Sequence, residues 1–228
     1  MGFVVLRTGS QTIWRGLLLL GWCSVLGLGL SCAAVIPAPT VEHRAMRIPK
    51  GSLTKIAVLV FQPTASLMRA QTGRADSAES IADQVGRLVT EQLMKRGFHV
   101  IWPSDLQTAI AAQGVAGGRA DRRIAARVAA RDFGATAILF GDVSRWRERG
   151  GERYGSANPA SVAFNLGLYS APEMTRLWTS KFDETQRPLS EHVLNARRYP
   201  GGGSRWLTAS ELAQWGVKAA VDTIPASM

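Results

Sequence analysis

The chain has few of the residues that hold disulfide-rich proteins together or bind metal ions. Its 228 residues include two cysteines, Cys23 and Cys32, and three histidines, His43, His99 and His192. Two cysteines cannot supply a disulfide framework, so the fold must depend on the packing of apolar side chains. The histidines do not recur at a spacing that metal ligands use, and we predict neither a metal site nor a cofactor.

The chain also lacks the short motifs of nucleotide-binding and hydrolytic sites. The glycine-rich segments 114–118, 150–151 and 201–203 do not continue as Gly-Lys-Ser/Thr into a helix, and we interpret them as connections. A Gly-x-Ser-x-Gly nucleophile elbow does not occur in the sequence. Phosphate-loop enzymes and serine hydrolases of that type are thereby excluded.

One group of carboxylates is the best candidate for catalysis. Asp183 and Glu184, with Glu191 and His192 downstream, offer the paired carboxylates that can act as acid and base. Adjacent residues of a strand point to opposite faces, so Asp183 and Glu184 are not expected to converge on one substrate. We therefore predict that the protein is not an enzyme, with a glycan-processing hydrolase as the alternative.

Residues 17–32, LLLLGWCSVLGLGLSC, form an apolar run near the start of the sequence. Arg7 and Arg15 precede it, no acidic residue does, and small residues lie at its end. A positive segment, an apolar segment and small residues, in this order, are typical of a secretory signal peptide. The junction of Ser31 and Cys32 resembles that of bacterial lipoproteins, in which the cysteine thiol is diacylated before cleavage and becomes the new N-terminus.

Two other interpretations of this run stay open. An ordinary signal peptide would be cut after Ala33 or Ala34, and an uncleaved anchor over 16–36 would supply the roughly 20 apolar residues that span a membrane. All three interpretations place the body of the chain outside the cytoplasm. The lipoprotein interpretation, which we prefer, divides the chain into a signal peptide over 1–31, a lipidated tether over 32–54 and a single α/β periplasmic domain over 55–225.

The residue after Cys32 is Ala33 rather than aspartate. The resemblance to bacterial lipoproteins then implies acyl chains such as palmitate on Cys32 and transfer to the periplasmic face of the outer membrane. A soluble periplasmic protein and an inner-membrane anchor are the alternatives for its location.

The charge balance is strongly basic, with 27 lysines and arginines, 17 acidic residues and a net charge of +10. Such a balance favours anionic partners, which outside the cytoplasm are lipid headgroups, envelope polymers or acidic proteins rather than nucleic acid. Two basic groups are predicted to contact such a partner, with a solvated surface as the alternative for each. They are a helical stripe of Arg119, Arg122, Arg123, Arg127 and Arg131, and the segment Arg145, Trp146 and Arg147.

The first half of the domain predicts parallel strands with helices between them. The continuous apolar run 55–61 is typical of a strand buried on both faces. Helical periodicity follows, with a capping box predicted at Asp76 and Glu79. Further strands are predicted at 98–102 and 135–141. Two helices are predicted between them: one begins at 103–104, with Ser104 and Gln107 as its capping pair, and the other covers 120–132.

The second half predicts an antiparallel hairpin and a last helix. Apolar and small or polar residues alternate over 161–169, and 176–182 returns after a turn. Thr208 and Glu211 form a capping box before the last helix. The fold class predicted is therefore α/β: a two-layer or three-layer sandwich with a mixed sheet of about five strands, parallel in its N-terminal part, and helices packed on it.

The order of these segments resembles a group of periplasmic lipoprotein domains, typified by the curli-secretion pore lipoprotein and the lipoprotein activators of penicillin-binding proteins. The resemblance is carried by strand 55–61, the helix ending in LMKRG at 93–97, WPSDL at 102–106, FGATAILFG at 133–141 and the hairpin ending at Trp178. It implies an α/β sandwich in the envelope that acts in assembly, secretion or activation. We predict a non-catalytic binding module, with an oligomeric export component as a further alternative.

Overall fold

The computed structural model describes residues 41–46, 48, 51–114, 121–152, 155–187, 199–200 and 205–225. The strands in this part of the chain are β1 (Val41–Ala45), β2 (Lys55–Val58), β3 (Gln62–Pro63), β4 (His99–Ile101), β5 (Ala137–Arg147), β6 (Gly150–Glu152), β7 (Gly155–Asn158), β8 (Ser161–Ser170) and β9 (Arg176–Thr185). The helices are α1 (Ala65–Gln71), α2 (Ala78–Lys95), α3 (Pro103–Ala111), α4 (Arg122–Phe133) and α5 (Ala209–Asp222). The predicted signal peptide and Cys32 lie outside the described residues.

A seven-stranded mixed sheet forms the centre of the domain, in the order β1-β9-β8-β5-β2-β4, with β3 also paired to β5. Strands β4, β2 and β5 are parallel, and β5, β8, β9 and β1 are antiparallel. Strands β6 and β7 form a separate two-stranded ribbon. The predicted α/β class, with a parallel N-terminal part and an antiparallel hairpin, is confirmed, and the sheet has seven strands rather than about five.

One additional strand, β1, lies inside the segment predicted to be a tether. It pairs antiparallel with β9, with Val41 opposite Phe182 and Ala45 opposite Trp178. The prediction of an irregular tether is therefore wrong for residues 41–45. An edge strand is held by main-chain hydrogen bonds, and four of these five residues are exposed, so the segment has none of the apolar periodicity that reveals a strand.

Helices cover both faces of the parallel half of the sheet. Helices α2 and α5 pack on one face and bury an apolar stripe that includes Ile81, Val85, Val89, Leu93, Leu212, Val217 and Val221. Helices α3 and α4 pack on the other face, over Ala57, Ile138 and Phe140. Full burial of one such aliphatic side chain contributes roughly 1.5–3 kcal/mol to stability. The domain is therefore a three-layer sandwich where β4, β2 and β5 lie.

The two outer layers differ in how far they extend. Helix α5 continues over β8, β9 and β1, whereas α3 and α4 pack on β2 and β5. Among the described residues, the antiparallel half of the sheet consequently has one face covered by a helix and one face, which we call open, that no helix covers. No helix among the described residues is long and apolar enough to cross a membrane.

A buried phenylalanine fills the junction between sheet and helix. Phe61, 2% exposed, follows β2 and lies between Gly86 of α2 and Gly141 of β5. A Cβ atom at Gly86 would lie 3.4 Å from the ring, and a Cβ atom at Gly141 would overlap it. The absence of a side chain on Gly141 therefore allows α2 to approach the sheet with an aromatic ring between them.

The start of α2 differs from the predicted capping box. Ser77 is the N-cap, and its Oγ accepts a hydrogen bond from the N–H of Ser80 at 3.1 Å. The box predicted at Asp76 and Glu79 is wrong, because the serine one residue later satisfies a free N–H of the first turn.

The starts of α3 and α5 follow different rules. In α3, Pro103 is the first helical residue and Trp102 is the N-cap, so the cap predicted at Ser104 is wrong. A proline with its fixed φ starts a helix without a side-chain cap. In α5 the predicted capping box is confirmed, since Thr208 accepts from the N–H of Glu211 and the Glu211 carboxylate accepts from the N–H of Thr208.

Candidate functional site

The predicted basic stripe divides into two groups on α4. Arg123, Arg127 and Arg131 are exposed, and Arg131 donates from Nε to Oδ1 of Asp132 at 2.5 Å. That hydrogen bond lowers the pKa of the Asp132 carboxyl and raises the pKa of Arg131. Arg119 lies outside the described residues.

Arg122 has a separate position at the start of α4. Its guanidinium lies over the ring of Phe140, 5.0 Å from the centroid, and 3.4 Å from the carboxylate of Asp142. A cation over an aromatic face is attracted by the ring quadrupole. The Arg122 side chain therefore connects the start of α4 to β5, at the border of the open face.

The segment Arg145, Trp146 and Arg147 belongs to β5, so its residues alternate between faces. Trp146 is 8% exposed and packs in the core with α2 and α5, and the prediction that it contacts a partner is wrong. Arg145, on the other face, donates from Nε to Oγ of Ser161 at 2.6 Å and pairs with Asp183. Arg147 is exposed at the end of the strand.

The candidate catalytic carboxylates are separated by the sheet. Asp183 pairs with Arg145 on the open face. Glu184 accepts a hydrogen bond from the Tyr199 hydroxyl at 2.8 Å, and the Tyr199 ring packs against Trp215 of α5 on the opposite face. The structure therefore does not bring these two carboxylates together, and Glu191 and His192 lie outside the described residues. Within the described ranges, no three His, Cys, Asp or Glu residues lie close enough to hold a metal ion.

A concave surface lies on the face of the antiparallel half of the sheet that no helix of the described residues covers. We call it the open-face groove, and its volume is about 710 Å³. Its lining comes from β1, α4, β5, β8 and β9 and includes Glu42, Arg44, Arg122, Phe140, Asp142, Asn165, Gly167, Tyr169, Arg176, Thr179 and Lys181. The groove is therefore a product of strand order rather than of a single motif.

Strand register arranges the lining in transverse rows. One row crosses the sheet as Phe140, Gly167, Thr179 and Arg44, because these residues are direct neighbours on β5, β8, β9 and β1. Residues directly opposite on neighbouring antiparallel strands share a face. The next row is shifted by two residues and consists of Asp142, Asn165, Lys181 and Glu42.

An aromatic residue borders the floor of the groove. The Tyr169 ring lies 5.4 Å from the ring of Phe140, tilted by 55°. It leans over Gly167, where a Cβ atom would come within 2.8 Å of Tyr169 Cε2. Because Gly167 has no side chain, the Tyr169 ring can pack directly against the backbone of β8.

The charges of the groove are unequal. Four cationic side chains, Arg44, Arg122, Arg176 and Lys181, line it together with two carboxylates. One of the carboxylates, Asp142, is 3.4 Å from Arg122. Because arginine forks bind carboxylates and phosphates through two parallel hydrogen bonds, the excess of cations suits an anionic ligand.

Most of the groove residues were not predicted from the sequence. Arg44 lay in the predicted tether, and Tyr169 and Lys181 occupy positions of the hairpin that alternate with the apolar core residues. Arg176 lies opposite Tyr169 because the strand register shifts between Leu168 and Tyr169, and a simple alternation does not show this. The pattern of polar residues on the second face of the hairpin was a usable signal.

No protein-family model and no curated protein sequence matches the chain. Among solved structures, the PelC dodecamer from Paraburkholderia phytofirmans is similar at 15% identity, covering 78% of this chain and 91% of that chain with a TM-score of 0.44. The LpoB C-terminal domain from Salmonella enterica is 19% identical, covering 62% and 88% with a TM-score of 0.39. Lipoprotein GNA1162 from Neisseria meningitidis is 16% identical, covering 62% and 96% with a TM-score of 0.36.

These values describe a distant likeness, so the function has to be inferred from this chain's own residues. One of the similar structures is named a lipoprotein.

Proposed function

We propose that the protein is a lipid-anchored, non-catalytic binding module of the bacterial cell envelope, which holds an anionic glycan in the open-face groove. The observation that carries the proposal is the groove itself. It lies on a sheet face that no helix in the described part of the chain covers, and four cations outnumber two carboxylates in its lining. The lining combines these charged side chains with the aromatic residues Phe140 and Tyr169.

The side chains of the groove suit a linear, carboxylated sugar polymer. Arg44 and Arg176 offer guanidinium forks for carboxylates, and Asn165 and Thr179 offer an amide and a hydroxyl for sugar hydroxyls. The ring of Tyr169 offers an apolar face against which a sugar ring can pack. A ligand that combines negative charge, hydroxyl groups and apolar ring faces uses all three kinds of contact.

The proposed anchor is a diacylated Cys32 on the periplasmic side of the outer membrane. Support comes from the sequence: Arg7 and Arg15, the apolar run 17–32 and the Ser31–Cys32 junction. A single protein-bound acyl chain binds membranes marginally, whereas several chains anchor a protein stably. Lipid attachment would hold the binding domain at the membrane without a spanning helix.

Membrane fractionation of cells expressing Cys32→Ala tests the anchor. We expect the variant to move from the outer-membrane fraction to the soluble periplasm. Retention of the variant on membranes at high salt would show an uncleaved anchor instead, and parent protein in the inner-membrane fraction would contradict the proposed location.

Binding measurements with charge-matched variants test the groove. The full chain in detergent would be titrated with polygalacturonate, a linear carboxylated glycan, and with neutral dextran. Arg176→Glu with Lys181→Glu should weaken polygalacturonate binding about tenfold or more, because two cations are lost and two repulsive charges are gained. Arg123→Glu with Arg127→Glu changes the net charge equally but lies on the outer face of α4, and it should change binding less than about threefold.

Two results would count against the groove. If both double variants weaken binding equally, net charge rather than the groove attracts the glycan. If the α4 variant has the larger effect, the basic stripe is the contact, as the sequence alone suggested.

A further inference from the structure

The outer edge of β1 is the exposed border of the sheet beside the groove. The N–H of Met46 donates to the C=O of Leu177 at 2.8 Å, which fixes the alternation of hydrogen bonding along the strand. In an antiparallel pair, residues two apart direct their N–H and C=O groups to the same side. The main-chain groups of Val41, His43 and Ala45 therefore point away from β9, and no strand in the described part of the chain pairs with them.

The sequence of β1, VEHRA, is self-complementary when a second copy runs antiparallel and is centred on His43. In that register Glu42 lies opposite Arg44 of the partner subunit, and by symmetry Arg44 lies opposite Glu42 of the partner subunit. His43 lies opposite its own copy. Both charged residues are exposed, and in the described part of the chain neither side chain has a hydrogen bond or ion pair of its own.

The hydrogen-bonding alternation agrees with the charge pattern. With His43 as a hydrogen-bonded pair on the two-fold axis, Val41 and Ala45 form the flanking hydrogen-bonded pairs. Glu42 and Arg44 then occupy the non-hydrogen-bonded positions, where opposite Cα atoms are only about 4.5 Å apart and side chains are closest. An isologous two-fold interface requires this kind of self-complementarity.

We propose that two copies of this chain pair through β1 and form a symmetric dimer with one continuous sheet. The pairing satisfies the outward N–H and C=O groups of β1, which an isolated edge strand leaves to water or to unwanted partners. Since Glu42 and Arg44 also line the open-face groove, the dimer places two grooves side by side on the same face of the sheet. A long polymer could then contact both grooves, which raises its avidity.

Charge reversal gives a test with an internal rescue. The mass of the full chain in detergent would be measured by analytical ultracentrifugation over a concentration series. Glu42→Arg and Arg44→Glu should each weaken the dimer about tenfold or more, because each creates two like-charge pairs across the axis. The double variant, and an equimolar mixture of the two single variants, should dimerise like the parent chain, because both arrangements restore opposite charges at every pair.

Crosslinking tests the register independently of charge. His43→Cys should give a dimer with a short bis-maleimide, since the two thiols would lie on the axis. The matched control is His99→Cys on β4, an exposed histidine at the opposite edge of the sheet, which should crosslink no more than the parent chain.

The inference is overturned by any of three results. These are a monomer throughout the concentration series, a dimer that neither single charge reversal weakens, and crosslinking of the His99→Cys variant equal to that of the His43→Cys variant. None of them depends on lipid attachment or on glycan binding, so the dimer can fail while the proposed function stands.

Discussion

The position of Phe61 between two glycines leads to a quantitative prediction for Gly141→Ala. The new methyl group would overlap the ring of Phe61, which is 2% exposed and cannot swing into solvent. Overpacking of a closed core costs roughly 1–3 kcal/mol, and the contact with several ring atoms places this site near the upper end. The lower chain entropy of alanine in the unfolded state offsets about 0.5–1 kcal/mol. We expect a net loss of about 2 kcal/mol.

The matched control is Gly86→Ala, on the other side of the same ring. Its Cβ atom would lie 3.4 Å from the ring, an ordinary contact that a small shift relieves. Alanine is favoured over glycine in a helix interior by about 1 kcal/mol, so this variant should be neutral or stabilised. The two substitutions make the same chemical change, and the geometry around Phe61 alone separates them.

Urea unfolding of the full chain in mild detergent, followed by tryptophan fluorescence, measures both variants. In thermal unfolding of the same variants, a loss of about 2 kcal/mol would lower Tm by roughly 4–8 °C for a domain of this size. Combining Gly141→Ala with Phe61→Leu should recover part of the loss, because the smaller side chain removes the overlap. Equal midpoints for Gly141→Ala and Gly86→Ala, or no recovery in the double variant, would refute the proposed packing.

Three further predictions concern pH, a buried tryptophan and a helix end. The Arg205 guanidinium donates to the Glu211 carboxylate and holds the pKa of that carboxyl at about 2, below its ordinary 4.5. The resulting stabilisation is complete above pH 4.5 and lost as the pH falls toward 2. With the carboxylate side chain 38% exposed, screening limits it to about 1 kcal/mol, and Glu211→Gln should remove this part of the acid dependence of the urea midpoint. Trp178→Phe removes the hydrogen bond that Nε1 donates to Thr223 Oγ1 at 3.0 Å and leaves a cavity at a fully buried site. The free energy of unfolding in urea should therefore decrease by about 2 kcal/mol. A decrease below about 0.5 kcal/mol, which is the size of a surface effect, would contradict this. Gly134 ends α4 in the left-handed conformation, at φ 65°. Gly134→Ala should therefore lower the stability measured by thermal unfolding by about 1 kcal/mol, and Gly134→Asn should lower it by less, because asparagine tolerates this conformation better. Equal losses for the two variants would show that residue 134 does not keep the left-handed conformation.

The covered parts of the fold were predictable because burial leaves a pattern in the sequence. The strand at 55–58 is buried on both faces and reads as a continuous apolar run, whereas the hairpin β8–β9 reads as an alternation. The capping box of α5 was equally clear, since it joins residues three apart in the chain. In each case the information is local.

The features missed from the sequence depend on the tertiary arrangement. Strand β1 is stabilised by main-chain bonds to β9, which any sequence can form. The groove exists because α3 and α4 stop short of β8, and no residue of β8 or β9 reports where a helix ends on another part of the sheet. Trp146 was misjudged because its arginine neighbours suggested a surface, while the alternation of β5 points it inward.

The pairing of β1 with β9 also determines how far the domain can travel. A tether that ended at residue 54 would allow the domain a long reach from its lipid. Because the chain is paired with the sheet from Val41 onward, only the eight residues 33–40 separate the proposed lipid on Cys32 from β1. At ~3.3–3.6 Å per residue, the path from Cys32 to Val41 extends to roughly 30 Å at most. The protein would therefore work close to the membrane surface, where ligands have to come to it.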